Sequence, residues 1–343
     1  VEEELTAPEP TVGVHPHKAS KGDVLTGGFV VDKRLGKGST CVALAVQRGE
    51  QSGVLKVAKE AAMNTRVEAE ARVLQQLKHH NIVQIFSLEK IDGLSAIFME
   101  RGGETTLDER LRSEGRLSLD LLDRFGSDLL LLLDYLEDQG INHRDIKPVN
   151  IGIGTTPSKR LTLKLFDFSL SDTPASNIHA GTPPYLDPFL STRKPPVWDL
   201  NAERFSAAMT LYELATGTLP SWGEAGISPL ATDEEARLDV ELFDPAVRDG
   251  LTAFFSKAIA RNARKRFDNA ADMHLAWRGV FSRIDQPQVA TTSADETTDD
   301  ATTEHGFTPV DLSAIDGLSP NTPLEQLGLT ARELDAATRM GAG

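Results

Sequence analysis

The apolar positions along this chain change period part-way through. Between residues 28 and 57, three short runs rich in Val, Leu and Ala (Gly28–Val31, Val42–Val46 and Gly53–Val57) are separated by Gly-rich and polar turns. Runs of that length and composition predict β-strands. From about Thr65 to Lys78 the period becomes helical, with Val67, Ala71, Leu74 and Leu77 on one face. Two more strand-like runs, Ile82–Leu88 and Ser95–Met99, close this half. From about Thr106 long helical patterns take over. Leu119–Gln139 puts Leu122, Phe125, Leu129, Leu132, Leu133 and Leu136 on a wide apolar face, and Gly140 stops it. Further helices are expected at 200–216, 247–260 and 269–281. A small strand-rich half followed by a larger helical half predicts an α+β fold with a cleft between the two. The longest apolar run, Leu129–Leu133, is far too short to span a bilayer.

Charge sharpens the organisation. The 343 residues carry 36 Lys+Arg against 51 Asp+Glu, a net charge of −15. Residues 1–20 hold −3 of it and residues 286–343 hold −8, which leaves −4 for the long block between them. Residues 1–25 therefore read as an acidic, flexible flank. Residues 286–306 have almost no large apolar side chains and read as a disordered Thr-rich acidic linker. Residues 307–343 read as a short helical segment. The acidic balance argues against nucleic acid and anionic membranes as partners. A single cysteine, Cys41, makes no internal disulfide, and Val1-Glu2-Glu3-Glu4 is no secretory signal, so a cytoplasmic location is expected. No His/Cys spacing suggests zinc. Trp198, Trp222 and Trp277 read as packing anchors of the helical half.

The densest chemistry lies just beyond the Leu-rich helix, in His143-Arg144-Asp145-Ile146-Lys147-Pro148-Val149-Asn150. Seventeen residues past Asn150, after a strand-like run, comes Asp167-Phe168-Ser169. These two strings resemble, in order and wording, the catalytic loop and the metal-binding DFG segment of the protein kinase family. The resemblance covers roughly residues 26–285. It implies a two-lobed fold, with a small mainly-β N-lobe and hinge over 26–103 and a helical C-lobe over 104–285. It also implies ATP and Mg²⁺ as cofactors. By the same resemblance Asp145 would orient the acceptor hydroxyl and take its proton, and Lys147 would place a cation near the transferring phosphate. Asn150 and Asp167 would offer oxygen ligands to Mg²⁺. Arg144 would be free to meet a phosphate on the activation segment.

Other stretches extend the likeness. Leu35-Gly36-Lys37-Gly38-Ser39-Thr40-Cys41 resembles the glycine-rich loop, where Gly36 and Gly38 let backbone amides approach phosphates. Lys56 matches the strand lysine that grips phosphates, with Glu70 as its helix partner rather than Glu68. Met99 would be the gatekeeper, and backbone groups of Glu100 and Gly102 would meet the adenine edge. Gly181-Thr182-Pro183 resembles the step at which a threonine hydroxyl bonds the aspartate and lysine of the catalytic loop. With Lys147, that pattern implies Ser/Thr acceptors on a protein substrate. Thr173 and Ser176 would be autophosphorylation sites.

Four departures stand out. The family's APE reads Asp187-Pro188-Phe189, with Arg266 as the arginine that Asp187 would have to meet. The aspartate of the following helix is Glu203. DFG is DFS, and the third loop glycine is Cys41. These departures favour the competing reading, a nucleotide-binding pseudokinase scaffold; the intact Lys56, Glu70, Asp145, Asn150 and Asp167 oppose it. A small-molecule phosphotransferase is the other alternative, opposed by Lys147 and Thr182. The wording of FDFSLS, IHAGTPPYLDPFL and WDLNAERFSAAMTLYELATG is similar to kinases of the bacterial phage growth limitation system, a type 2 BREX-like defence. That likeness implies other phage-defence proteins as partners, and a homo-oligomer is compatible with it. The final stretch, from Thr322, resembles the start of a helix-hairpin-helix module, with an amphipathic docked helix as the plainer alternative. Thr297 or Thr298 is a candidate phosphothreonine site for a partner domain.

Overall fold

A computed structural model of the chain describes residues 13–156, 158–223 and 228–282. The expectations for residues 1–12 and for everything beyond residue 282 fall outside the described residues. These include the acidic linker, Thr297, Thr298 and the C-terminal segment.

The first half is one antiparallel sheet. Strands β1 (Val24–Leu25), β2 (Phe29–Lys37), β3 (Cys41–Arg48), β4 (Gln51–Ala58), β5 (Ile85–Ile91) and β6 (Leu94–Met99) lie in the order β1-β2-β3-β4-β6-β5. Alternation decides what each strand presents. On β4, Gly53, Leu55 and Val57 are buried in the sheet core, which turns Lys56 to the opposite face. Helix α1 (Asn64–Gln76) crosses between β4 and β5 and packs on β6 and β5. Its buried Val67, Glu70, Ala71 and Leu74 follow the three- and four-residue steps of one helical face. Ile82 stays outside β5 and makes an isolated bridge to Leu165. The flank is not flexible throughout, as the sequence had suggested. Ala19 and Leu25 are buried in the core, and the Arg34 guanidinium donates to the carbonyls of Pro16, His17 and Ala19.

The second half is helical. Helix α2 (Leu107–Glu114) starts from a capping box between Thr106 and Glu109. Helix α3 (Leu119–Asp138) carries the Leu-rich face into the core. Strand β7 (Thr105–Thr106) pairs with β8 (Ile151–Thr155), and β8 with β9 (Leu161–Leu165). Helix α4 (Leu200–Thr216) is buried on nearly every side, with Glu203, Arg204, Ser206 and Thr210 among its buried residues. Asp199 caps its start and Gly217 ends it in the left-handed conformation. Strands β10 (Ser221–Trp222) and β11 (Ala236–Arg237) form a small ribbon before α5 (Arg248–Ala258) and α6 (Ala270–Phe281). Helices α3 and α6 approach closely because Gly126 lacks a side chain. A Cβ there would lie 2.2 Å from the Trp277 indole, which donates to the Asp123 carbonyl at 3.1 Å. Trp222 and Trp277 are buried in the helical core, as expected of packing anchors.

Candidate active site

Three segments converge between the two halves: the C-terminal part of β4, the loop 143–150 before β8, and the residues that follow β9. Lys56, turned away from the sheet core, meets Glu70 of α1 at 2.7 and 2.8 Å and Asp167 at 2.6 Å. The rival Glu68 faces elsewhere and accepts from Lys90 and Ser95. Burial alone would lower the Lys56 ammonium, yet Glu70 and Asp167 outweigh it and hold the group well above its ordinary value. Burial would raise the Asp167 carboxyl, but Lys56 overrides this and keeps it below the usual carboxylate range, with help from Ser169. Burial pushes Glu70 up and Lys56 opposes it. The serine of the Asp167-Phe168-Ser169 segment thus has a polar role beside Asp167.

The loop 143–150 is held from behind by α4. Glu203 accepts from the backbone amides of His143 (2.7 Å) and Arg144 (3.0 and 3.1 Å) and from the Trp198 indole (3.1 Å). Burial raises this carboxyl to about 7, against the amides that favour its charge. Arg144 and Asp167 both take positive φ, at 68° and 67°, an uncommon conformation for side chains of their size that the surrounding contacts impose. His143 Nδ1 accepts from the Asp145 amide, so Nε2 donates to the Phe166 carbonyl at 2.9 Å; burial favours this neutral form. The buried Phe168 ring packs edge-on against His143.

In front of this support lies a compact polar group. Thr182 donates to Asp145 Oδ1 at 2.6 Å, Lys147 pairs with Asp145 Oδ2 at 2.7 Å, and Lys147 also donates to the Thr182 hydroxyl. Asn150 Nδ2 donates to the Asp145 carbonyl (2.8 Å) and carboxylate (3.0 Å), which leaves its amide oxygen as the atom available to a cation. The Phe166 amide donates to the Asn150 carbonyl, bringing Asn150 and Asp167 to neighbouring chain segments. Among the described residues no group of three or more His, Cys, Asp or Glu side chains could hold a metal ion by itself. Asn150 and Asp167, on these neighbouring segments, are oxygen donors of the kind that suits a hard cation taking its remaining ligands from phosphate.

Gly36 closes β2 opposite Ala43, and Gly38 lies in the turn that follows. A Cβ at Gly36 would meet nothing within 4 Å, and one at Gly38 only the Cys41 carbonyl at 3.7 Å. The packing of the chain does not demand glycine at either position. Cys41 is buried, and burial pushes its thiol up. Met99 is buried at the end of β6. The Glu100 amide is committed to the Gln84 carbonyl, and its carboxylate to Lys164 and the Gln84 amide. Gly102 packs where a Cβ would lie 3.1 Å from the Phe166 ring.

One expectation is corrected. Arg144 is not free: it is 3% exposed, and its guanidinium is taken by the carbonyls of Pro174 and Asn177 and lies over the Trp198 ring. Thr173 is half-buried and Ser176 exposed in the same segment. Sequence reasoning missed Trp198, which it read only as packing, and Arg193, a second cation on Asp187. The signal for Trp198 was its place one residue before the cap of α4.

A model of the protein kinase domain matches residues 29–277. The whole chain is 36% identical to the probable kinase PglW of Streptomyces coelicolor, of which it spans 27%. Over 64% of the chain it is 28% identical to the serine/threonine-protein kinase PksC of the same organism, covering 41% of that protein. Over 57% it is 29% identical to CBL-interacting protein kinase 11 of Oryza sativa, again covering 41%. The chain thus spans well under half the length of these curated relatives. With the matched family model extending over most of the chain and both lobes, this chain belongs to the protein kinase family.

Proposed function

We propose that the chain is an ATP- and Mg²⁺-dependent kinase that phosphorylates serine and threonine hydroxyls of proteins, itself included. The observation that carries this reading is the junction of Asp145, Lys147 and Thr182 beside the Lys56–Glu70–Asp167 line. The residues fit the cofactor: two glycines that packing does not require, a cationic Lys56 between two carboxylates, and the oxygen donors Asn150 and Asp167. When bound, ATP with Mg²⁺ supplies the phosphoryl group and neutralises its charge. Gly36 and Gly38 let backbone amides come close to phosphate, and Lys56 holds it, itself held by Glu70. Backbone groups of Glu100 and Gly102 would take the adenine edge, with Met99 as gatekeeper. Asp145 Oδ1, now bonded to Thr182, accepts from and orients the acceptor hydroxyl and receives its proton. Lys147 keeps positive charge at that carboxylate. Both groups are held in place before substrate arrives, which is the source of rate in positioning chemistry.

The acceptor reading rests on Lys147 bonded to Thr182, together with the likeness to named serine/threonine kinases. Thr173 and Ser176 are acceptor hydroxyls for self-phosphorylation in this reading. A role in phage defence, alongside other defence proteins, is supported by the sequence phrases quoted above together with the likeness to PglW. Replacing Asp145 by Ala should abolish transfer of labelled phosphate from ATP while nucleotide binding survives. Transfer at an undiminished rate would reject the assignment of Asp145, and wild-type protein that binds ATP yet transfers nothing would favour the scaffold reading.

A further inference from the structure

Arg144 belongs to the loop 143–150, but its guanidinium points away from Asp145 into the segment between Asp167 and Phe189. Its Nη1 donates to the Pro174 carbonyl at 3.3 Å and to the Asn177 carbonyl at 3.4 Å, and its plane lies 5.2 Å from the Trp198 ring centre. Trp198, 3% exposed, donates its backbone amide to the Ala175 carbonyl at 2.8 Å and its indole N–H to Glu203. Carbonyls 174, 175 and 177 are therefore all taken by two residues. Ile178 and Leu186, from the same segment, pack on the small apolar cluster of Leu190, Trp198 and Ala202. Glu203 completes the arrangement by binding the amides of His143 and Arg144 and the Trp198 indole at once. Between residues 168 and 189 the sequence supplies no Lys or Arg, so a cation for a phosphate on Thr173 or Ser176 must come from outside the segment.

We propose that Trp198 is a positioning residue which, with Arg144, holds the activation segment in its working form with no phosphate on it. A charge-assisted pair of bonds to main-chain carbonyls, and a cation over an indole face, do what a phosphate on a free arginine would otherwise do. A phosphate on Thr173 or Ser176 would have to displace Pro174, Asn177 and the indole to reach a guanidinium already shielded from water. Phosphorylation of those two residues is then an output of the enzyme, not its switch. For its activity readout this inference rests on the kinase reading above.

The test uses the full chain, phosphatase-treated, beside a Thr173→Ala, Ser176→Ala double variant. Transfer from MgATP to casein as acceptor is measured together with amide hydrogen exchange of the peptide covering residues 170–182. Both unphosphorylated forms should match the phosphorylated wild type within about twofold in kcat/KM, with the same protection of the segment. A loss of about tenfold or more that returns on rephosphorylation, or rapid exchange in the unphosphorylated chain, would overturn the proposal. Trp198→Leu should lower kcat by about tenfold with little change in the KM for ATP, while Trp198→Phe, which keeps the ring, should recover most of the loss. If Trp198→Leu exchanges rapidly yet keeps full kcat, Trp198 is structural only and the proposal fails. Protection in every form with no transfer by any would reject the kinase reading and still support the clamp.

Discussion

Phe189 stands where the kinase pattern has a glutamate, and Asp187, two residues earlier and 3% exposed, meets the Arg266 guanidinium in its stead at 2.6 and 3.3 Å. Arg193 also reaches Asp187 and bridges it to Asp199 at the start of α4. The buried acid therefore ties the end of the activation segment to two arginines. Asp187→Ala would strand the buried Arg266 without its counter-charge, and urea unfolding should show a loss of about 3 kcal/mol or more. Asp187→Glu should recover part of it. Glu203 gives a pH prediction. Burial raises its carboxyl to about 7 from 4.5, so the folded chain holds this proton more tightly than the unfolded one. Its contribution to stability is present below the unfolded value of 4.5 and is lost as pH rises through about 7. Glu203→Gln removes the titration, so thermal melts from about pH 5 to about pH 8 should show the variant gaining on wild type as pH rises. A gap that does not move with pH would contradict the raised value. At this scale the sequence showed which residue types were present and in what order. It could not show that Arg144 is already occupied, because the carbonyls of Pro174 and Asn177 that occupy it become neighbours only in the fold.

Elements were the most legible level. The helix expected at 200–216 is found at Leu200–Thr216, and the Leu-rich pattern ends within one residue of its expected limit. Both carry long runs rich in helix-forming and apolar residues, bounded by polar or glycine stops. Helix α2 was missed because eight residues with one buried position leave little periodicity, and it is carried by its capping box instead. The two-residue strands β7, β10 and β11 are too short for alternation to register. The close crossing of α3 and α6 was also invisible, since Gly126 looks like a flaw in a helix until Trp277 is placed against it. Gly126→Ala should force the indole aside and cost about 1–3 kcal/mol, read from the urea midpoint. An unchanged midpoint would mean that the helices separate freely.

For the whole molecule, the order of strands then helices predicted the division into a sheet and a helical body, and with it the cleft. The net charge of −15 proved to describe mostly the ends of the chain, while the site rests on a few residues of both signs set against each other. Lys56 between Glu70 and Asp167 joins the sheet half to the segment after β9, so the two halves meet through charge at the place where phosphate is proposed to bind. Lys56→Met should raise the KM for ATP and lower kcat/KM by about a hundredfold or more, read from initial rates. The most direct measurement of the central claim is phosphoamino-acid analysis of the chain after incubation with labelled ATP and Mg²⁺, beside Asp145→Asn. The account predicts phosphoserine or phosphothreonine in the wild type and neither in the variant. Equal labelling of both proteins, label on tyrosine alone, or no label on the wild type would contradict it.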